Sequence, residues 1–284
     1  MKRLIVTGDD FGLSIAVNNA IEIAHRDGVL SATSLMVGEA ASADAMSRAK
    51  NHPELRVGLH LVLTRGTPVS DPEQIPDLVT TDGVFRDSLF SAGAHYFFVP
   101  GIRRQLELEI RAQFQAFVNS GLSLDHVNAH NHMHLHPTVL GLILRIGKEY
   151  GMRAMRVPYE PSLSPGSGRA MTRLRSLIAM PGLAPWTMWM QRRLTRASIF
   201  SNDYIFGLRN TGRMSEAVLL DLLNHLPDGL SEIYLHPVLE GKVDSDPRSD
   251  DSQGSSEFHA LISARVSNLL DKLSLQPAGF SDFI

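Results

Sequence analysis

The chain has 284 residues, of which 43% are hydrophobic and 20% are charged. This length suits one large α/β domain or two small ones, and the apolar fraction is enough to bury a sizeable core. The net charge of −3 gives no signature of nucleic-acid binding, so we expect no nucleic-acid partner. With no cysteine in the chain, disulfide bonds and thiolate metal ligands are excluded.

Apolar periodicity, cap residues and turn residues predict strands that alternate with helices. In chain order the predicted elements are a strand at Arg3–Thr7, a helix at Ile15–Arg26, a strand at Ser31–Gly38, a helix at Ala41–Asn51, a strand at Arg56–Thr64, a helix at Ile102–Asn119, a strand at Leu124–Met133, a helix at Pro137–Tyr150, a strand at Arg153–Val157, a helix at Ser215–Leu226, a strand at Ser231–Leu235 and a helix at Glu257–Leu273.

This alternation indicates a parallel sheet with right-handed crossovers. No Gly-x-Gly-x-x-Gly motif follows the first strand, which argues against dinucleotide binding. At this length we expect an α/β fold in which mostly parallel strands form a closed or nearly closed β/α barrel over residues 1–284. Two Pro- and Gly-rich or irregular stretches, at about 65–100 and 161–202, are predicted to be insertions.

Four histidines alternate in one short stretch, at His130, His132, His134 and His136. If the stretch continues a strand, alternate side chains point to one face, and imidazole is a common metal ligand. Such a run would extend over about 20 Å, whereas metal–nitrogen bonds are about 2.1 Å, so one ion cannot bind all four. We therefore expect one or two ligands here, with the others facing substrate or serving the turn into the next helix.

Other predicted strands also end in residues that can bind a metal or move protons: Asp9, Asp10, His60 and His236. Taken singly, each has a simpler explanation, since the aspartates could cap a turn, His60 could be a core residue and His236 could bond a carbonyl group. A β/α barrel gathers the carboxyl ends of its strands at one face, where its active sites lie. The joint pattern therefore predicts a metal-dependent active site.

The same residues lie in motifs that resemble the YdjC-like carbohydrate deacetylases, which are related to the NodB-type polysaccharide deacetylases. The matching motifs are Asp9-Asp10-Phe11-Gly12, the stretch Gly58–Thr64, the stretch Asn128–His134, and Leu235-His236-Pro237. The resemblance implies a distorted, NodB-like or TIM-like barrel. Two stretches, Leu124–His130 and His136–Val139, are most similar to the branch of the family that acts in hopanoid biosynthesis.

By resemblance, three residues match the metal ligands of the family: Asp10, His60 and His130. Asp9 matches the general base and His236 the general acid. Four further residues are expected to contact either the substrate or the metal ligands: His132, Arg156, Phe11 and Asn128. Arg156 matches the arginine that orients the general base in the family. Asn128 departs from the family, because many relatives carry aspartate there. The donor set predicts one divalent ion, Zn²⁺ or Mg²⁺, with Mn²⁺ as a further candidate.

The implied activity is removal of the N-acetyl group from an N-acetylglucosamine-type sugar, and the implied substrate is an N-acetylglucosaminyl hopanoid lipid. Three alternatives stay open: a chitooligosaccharide deacetylase, a metal phosphoesterase on the same barrel, and a noncatalytic binder of sugar or lipid.

Residues 161–202 contain no acidic residue but six arginines and both tryptophans of the chain, Trp186 and Trp189. This composition is typical of a segment that contacts a membrane surface, and the alternative is an insertion that packs its tryptophans on the barrel. We expect a lipid-linked amino sugar as substrate and a homodimer as the assembly. The short apolar run at the N-terminus does not fit a signal peptide, so we expect a cytoplasmic protein, peripheral on the inner face of the membrane.

Overall fold

The computed structural model describes residues 1–87, 93, 96, 99, 101–161, 183–239 and 251–284. The strands are β1 (Lys2–Phe11), β2 (Ala32–Leu35), β3 (Arg56–Leu61), β4 (Val127–Ala129), β5 (Tyr204–Phe206) and β6 (Gly229–Leu235). The helices are α1 (Ile15–Arg26), α2 (Ser42–Asn51), α3 (Ile102–Asn119), α4 (Pro137–Glu149), α5 (Leu183–Arg196), α6 (Glu216–His225), α7 (Asp251–Leu261) and α8 (Ala264–Lys272).

The six strands form one parallel sheet in the order β4-β3-β2-β1-β6-β5. The sheet curls into a half-barrel, which confirms the predicted distorted β/α barrel. Isolated bridges from Val127 to Met155 and from Ala154 to Phe200 continue the curl from the β4 edge toward β5. Because all strands run the same way, their carboxyl ends meet at one face of the molecule.

Local sequence signals account for the helix ends that were predicted correctly. The side chain of Ser14 accepts a hydrogen bond from the backbone N–H of Val17 and caps α1, which begins and ends where predicted. One face of α1 is buried and carries Val17, Ile21 and Ala24. The helix α3 also has the predicted bounds and buries Phe114 on its apolar face.

Three predicted elements are wrong. The histidine strand ends at Ala129, and residues His130–Leu135 form 3₁₀ turns that are kinked by left-handed backbone at Asn131 and His132. Arg153–Val157 makes isolated bridges only and is not a regular strand. The single predicted helix Glu257–Leu273 is two helices, because the Ser263 side chain caps α8 and starts a new helical direction.

The segment that follows β3, which was predicted to be an insertion, is bound to α3 by a buried carboxylate. Glu109 is fully buried and accepts hydrogen bonds from the backbone N–H groups of Val69 and Ser70, each at 2.9 Å. Gln113, one turn further along α3, donates to the same carboxylate at 2.7 Å. These bonds satisfy backbone donors that an irregular segment would otherwise leave unpaired. Part of the predicted insertion at about 65–100 lies outside the described residues.

The amino ends of the strands are covered by the C-terminal segment. Phe280 is fully buried and forms a second apolar cluster with residues that include Ile5 and Leu230. Asp125, just before β4, accepts hydrogen bonds from the backbone N–H groups of Phe280 and Ser281 at 3.1 and 2.8 Å. The tail therefore closes the end of the sheet opposite to the strand ends that carry the predicted site.

Candidate metal centre and active site

A strained turn at the end of β1 presents Asp10. The register between β1 and β2 shifts between Gly8 and Phe11, and Asp10 lies within this irregularity with a φ of 65°. Left-handed backbone is uncommon for residues other than glycine and tends to occur at functional sites. Asn18 of α1 stabilises the turn, because its side-chain oxygen accepts a 2.8 Å hydrogen bond from the backbone N–H of Gly12.

The carboxylate of Asp10 lies between two imidazole rings. One of its oxygens is 3.2 Å from Nε2 of His60, on β3, and 3.2 Å from Nδ1 of His130, the first residue after β4. The two rings meet edge to face, with centroids 5.5 Å apart. Among the described residues, these three form the one group whose ligand atoms converge, all within 4.8 Å of one another.

These donors fit a divalent metal ion. Two imidazole nitrogens and one carboxylate form a donor set that suits zinc and also accepts other divalent ions, with positions left open for water and substrate. Asp10 and His60 are buried and His130 is partly buried, so the site has one accessible side. Nδ1 of His60 has its own partners, Ser34 and Asn128, and such contacts orient a ligating histidine.

Beside this group, Asp9 forms a buried ion pair with Arg156. Nη1 and Nη2 of the arginine donate to the two carboxylate oxygens at 2.5 and 2.9 Å. The guanidinium also donates to Glu232 of β6, at 2.7 Å from Nη2 and 3.0 Å from Nε. Burial would raise the pKa of Asp9, but the charge of Arg156 outweighs it and lowers the pKa. Asp9 is therefore a carboxylate at neutral pH, held in a fixed orientation.

Tyr234 of β6 joins the rest of the site. Its ring lies under the guanidinium of Arg156, 4.9 Å away, and edge to face with His236 at 5.5 Å. Its hydroxyl group lies 3.1 Å from Oγ1 of Thr211 and 3.4 Å from Nε2 of His132. Burial and the charge of Arg156 lower the pKa of His132 to about 3, so this ring is neutral at physiological pH.

The chain is similar to known proteins in both sequence and fold. The sequence model of the family described as YdjC-like protein matches residues 3–272. The chain belongs to the YdjC-like family. A carbohydrate deacetylase from Brevibacillus brevis is 31% identical over 287 residues, with 99% of each chain covered. Another, from Geobacillus stearothermophilus, is 37% identical over 158 residues, which cover 55% of this chain and 58% of that relative.

A solved structure shares the fold. A protein from Enterococcus faecalis, described as a candidate cellobiose-phosphate cleavage protein, superimposes with a TM-score of 0.76 over 99% of this chain and 98% of the other. The two sequences are 23% identical, so this likeness bears on the fold of the YdjC-like protein and not on its substrate.

The structure brings most of the predicted site residues together. Asp10, His60 and His130 converge, and Asp9 lies against Arg156. The remaining predicted residues lie around them, with Asn128 against His60, His132 against Tyr234, His236 at the end of β6, and Phe11 buried in the main core behind the turn. The left-handed φ values of Asn131 and His132 end the strand-like alternation, so the predicted common face of His130 and His132 on one strand is wrong.

Sequence reasoning missed Ser34, Glu232 and Tyr234. Ser34 donates to Asp9 at 2.7 Å and lies 3.0 Å from Nδ1 of His60. A signal for Glu232 was present, because a carboxylate in the middle of an apolar strand requires a buried cation such as Arg156. No comparable signal existed for Tyr234, whose hydroxyl contacts depend on residues far away in the sequence.

The tryptophan-bearing helix α5 packs beside the histidine stretch. The indole N–H of Trp186 donates a 2.8 Å hydrogen bond to the backbone carbonyl of Leu135, and its ring stacks on Trp189 at 4.5 Å. Met190 and Leu194 are fully buried. The packing alternative for this part of residues 161–202 is therefore supported, whereas residues 162–182 lie outside the described residues. None of the described helices is long and apolar enough to cross a membrane.

Proposed function

We propose that this YdjC-like protein is a metal-dependent hydrolase that removes the N-acetyl group from an N-acetylglucosamine-type sugar. The observation that carries the proposal is the convergence of Asp10, His60 and His130 next to the carboxylate of Asp9. A ligand set beside an oriented base is what amide hydrolysis requires. The carbohydrate deacetylases among its relatives support the sugar as substrate.

In this proposal Asp10, His60 and His130 hold one divalent ion, Zn²⁺, Mg²⁺ or Mn²⁺. When bound, such an ion acts as a Lewis acid on the acetyl carbonyl group and on water. The carboxylate of Asp9 accepts the proton of the attacking water, whose oxygen adds to the carbonyl carbon. Arg156 keeps both oxygens of Asp9 in place, so the base is aimed before substrate arrives.

His236 completes the reaction in the proposal. As the C–N bond breaks, its imidazolium donates a proton to the departing amine, and the products are acetate and the free amino sugar. The side chain of His236 is 31% exposed, so it is open to solvent and to a substrate that enters the strand ends. Glu257, fully buried, accepts a 2.6 Å hydrogen bond from the backbone N–H of His236 and fixes the chain there.

We further propose that the sugar is carried by a hopanoid lipid. The support is the resemblance of Leu124–His130 and His136–Val139 to the hopanoid branch of the family. A lipid-linked substrate places the enzyme on the inner face of the cytoplasmic membrane, with α5 as its contact. We propose a homodimer as its assembly, which light scattering of the purified protein would test.

Release of acetate from N-acetylglucosaminyl substrates tests the reaction. Asp9→Asn keeps the shape of the side chain but removes the base, and His130→Ala removes a ligand, so each should lower turnover by at least about a hundredfold. His225→Ala, on the exposed side of α6, is the matched control and should retain full activity. Undiminished acetate release by Asp9→Asn would show that the assigned base is wrong.

The substrate is tested by direct competition. Purified enzyme is given an N-acetylglucosaminyl hopanoid, a chitooligosaccharide and a phosphorylated sugar, and the products are identified by mass spectrometry. The proposal expects the hopanoid to be deacetylated with the highest kcat/KM. A higher kcat/KM for the chitooligosaccharide would overturn the proposed lipid substrate in favour of the chitooligosaccharide. Release of phosphate without acetate would support the phosphoesterase alternative.

A further inference from the structure

The side chain of Asn128 is a buried amide shared by the proposed metal ligand and the proposed base. One of its two terminal atoms lies 2.6 Å from Nδ1 of His60. The other lies 2.9 and 3.2 Å from Nη1 and Nη2 of Arg156 and 3.2 Å from Oγ of Ser34. That second atom is also 3.3 Å from a carboxylate oxygen of Asp9. Asn128 is fully buried, so no water competes for these contacts.

The two orientations of this amide impose different tautomers on His60. With its oxygen toward Arg156, Asn128 accepts from the guanidinium, and its N–H donates to Nδ1 of His60. Nδ1 then carries no proton, so the proton is on Nε2, where Asp10 accepts it at 3.2 Å. With its oxygen toward His60, the amide accepts from a protonated Nδ1 and its N–H donates a long 3.3 Å bond to Asp9, but the same nitrogen lies 2.9 Å from the donor Nη1 of Arg156.

The first orientation suits the protein without metal, because the bonds of Arg156 to Asp9 and Glu232 leave one N–H on Nη1, and the amide oxygen accepts it at 2.9 Å. Metal binding requires the opposite tautomer. If Nε2 of His60 is a ligand, its proton must move to Nδ1, which then needs an acceptor. An amide N–H at 2.6 Å from a protonated Nδ1 would place two donors face to face.

We propose that Asn128 is a two-position amide that couples loading of the metal site to the Asp9–Arg156 pair. Binding of an ion turns the amide, so that its oxygen supports His60 and its contact with Arg156 is lost. An aspartate at this position could accept from His60 and Arg156 together, which would remove the conflict. This inference rests on the proposed function, because it takes His60 as a metal ligand through Nε2.

Metal-stripped protein tests the proposal without any sugar substrate. In protein labelled with ¹⁵N-histidine, His60, assigned with His60→Gln, should show an unprotonated Nδ1 before metal is added and a protonated Nδ1 after Zn²⁺ saturation. Asn128→Asp should place a proton on Nδ1 before metal addition. It should also bind Zn²⁺ and Mn²⁺ at least about tenfold more tightly in calorimetric titrations.

Asn128→Ala separates a switching amide from a merely supporting one. It removes the opposing N–H without adding charge and leaves Oγ of Ser34, 3.0 Å away, as an acceptor for Nδ1. We therefore expect it to bind Zn²⁺ at least as tightly as the parent. Weaker binding by Asn128→Ala, or an Nδ1 already protonated in the metal-free parent, would overturn the inference.

A wrong ligand set can be distinguished from a wrong role for Asn128 by a variant of a proposed ligand. Asp10→Asn should lose Zn²⁺ binding in the same titration. If it binds as tightly as the parent, the ligand set of the proposed function is wrong. If Asp10→Asn loses binding while Asn128→Asp matches the parent, the ligand set stands and only the role of Asn128 fails.

Discussion

At the scale of single residues, the site depends on buried charges that are paired with one another. Arg156 is fully buried and has two carboxylate partners, Asp9 and Glu232, on different strands. Glu232 in turn accepts a 2.8 Å hydrogen bond from Oγ1 of Thr7. A buried charge that loses its partner costs about 3–5 kcal/mol of folding free energy. Breaking either ion pair of Arg156 would therefore be strongly unfavourable, which holds these side chains in one arrangement. The result is a base whose direction is set before substrate binds.

Arg156→Lys tests this orientation. Lysine keeps the positive charge but lacks the planar fork that donates to both oxygens of Asp9 and to Glu232. We expect kcat to fall roughly a hundredfold, since a base displaced by about 1 Å loses about that much, while KM changes little. Steady-state kinetics of acetate release measure both parameters.

Glu232→Gln is the matched control for the other side of the guanidinium. It removes a charge from the same cluster but leaves both N–H bonds from Arg156 to Asp9. Its kcat should therefore fall less than about tenfold. An equal decrease of kcat in Arg156→Lys and Glu232→Gln would mean that the net charge of the cluster, and not the orientation of the Asp9 carboxylate, sets the rate.

At the scale of elements, the regular helices could be predicted and the site-forming turns could not. The helices α1 and α3 have strong amphipathic patterns, and a serine cap fixes the start of α1, so local sequence determines their ends. The histidine stretch alternates like a strand, yet left-handed backbone at Asn131 and His132 breaks the alternation and kinks the stretch into short 3₁₀ turns. These turns depend on contacts with distant elements, such as Trp186 of α5 and Tyr234 of β6.

The structure also divides α5 into two faces with different expected roles. Trp186 packs inward, whereas Met188, Arg192 and Arg196 recur at helical spacing and are exposed. If α5 contacts an anionic membrane, the outer face should carry the binding, because each arginine near such a surface contributes about 1 kcal/mol. The combined change Met188→Ser, Arg192→Gln and Arg196→Gln should lower flotation with anionic liposomes by roughly tenfold or more.

Trp186→Phe is the comparison for the inner face. It removes the indole N–H bond to Leu135 but leaves the exposed arginines, so liposome binding should persist while turnover falls. Flotation that is absent in the parent protein, or unchanged in the triple variant, would exclude α5 as a membrane contact and leave only its packing role.

At the scale of the whole molecule, one end of the curled sheet carries the candidate site and the other end is closed by packing. The carboxyl ends of the strands carry the candidate site, as the parallel order predicts from the sequence alone. The amino ends are covered by the C-terminal tail, which carries no comparable sequence signal, because its contacts join residues about 155 positions apart. Phe280 lies against the ring of His126, with centroids 4.7 Å apart. Arg56 fastens the tail further through a 2.9 Å ion pair with Asp282.

Asp125 should therefore stabilise the fold in a pH-dependent way. Burial would raise its pKa, but hydrogen bonds and the charge of His126, with further bonds from Ser281, lower the pKa to about 2. A carboxylate whose pKa is lowered by folding contributes stability above its unfolded pKa, near 4, and loses it as the pH falls through the folded value. From this shift the contribution at neutral pH is about 2 kcal/mol.

Asp125→Asn should lower the free energy of unfolding in urea by about 2 kcal/mol at pH 7, and the gap to the parent should shrink to less than half by about pH 2.5. Ser281→Ala, which removes one 2.6 Å hydrogen bond to Asp125 but keeps the charge, should cost about 1 kcal/mol and preserve most of the pH dependence. A gap for Asp125→Asn that stays constant from pH 7 to about pH 2.5 would show that the carboxylate acts only through its shape. In that case the tail would be held by the apolar contacts of Phe280 and not by the charge of Asp125.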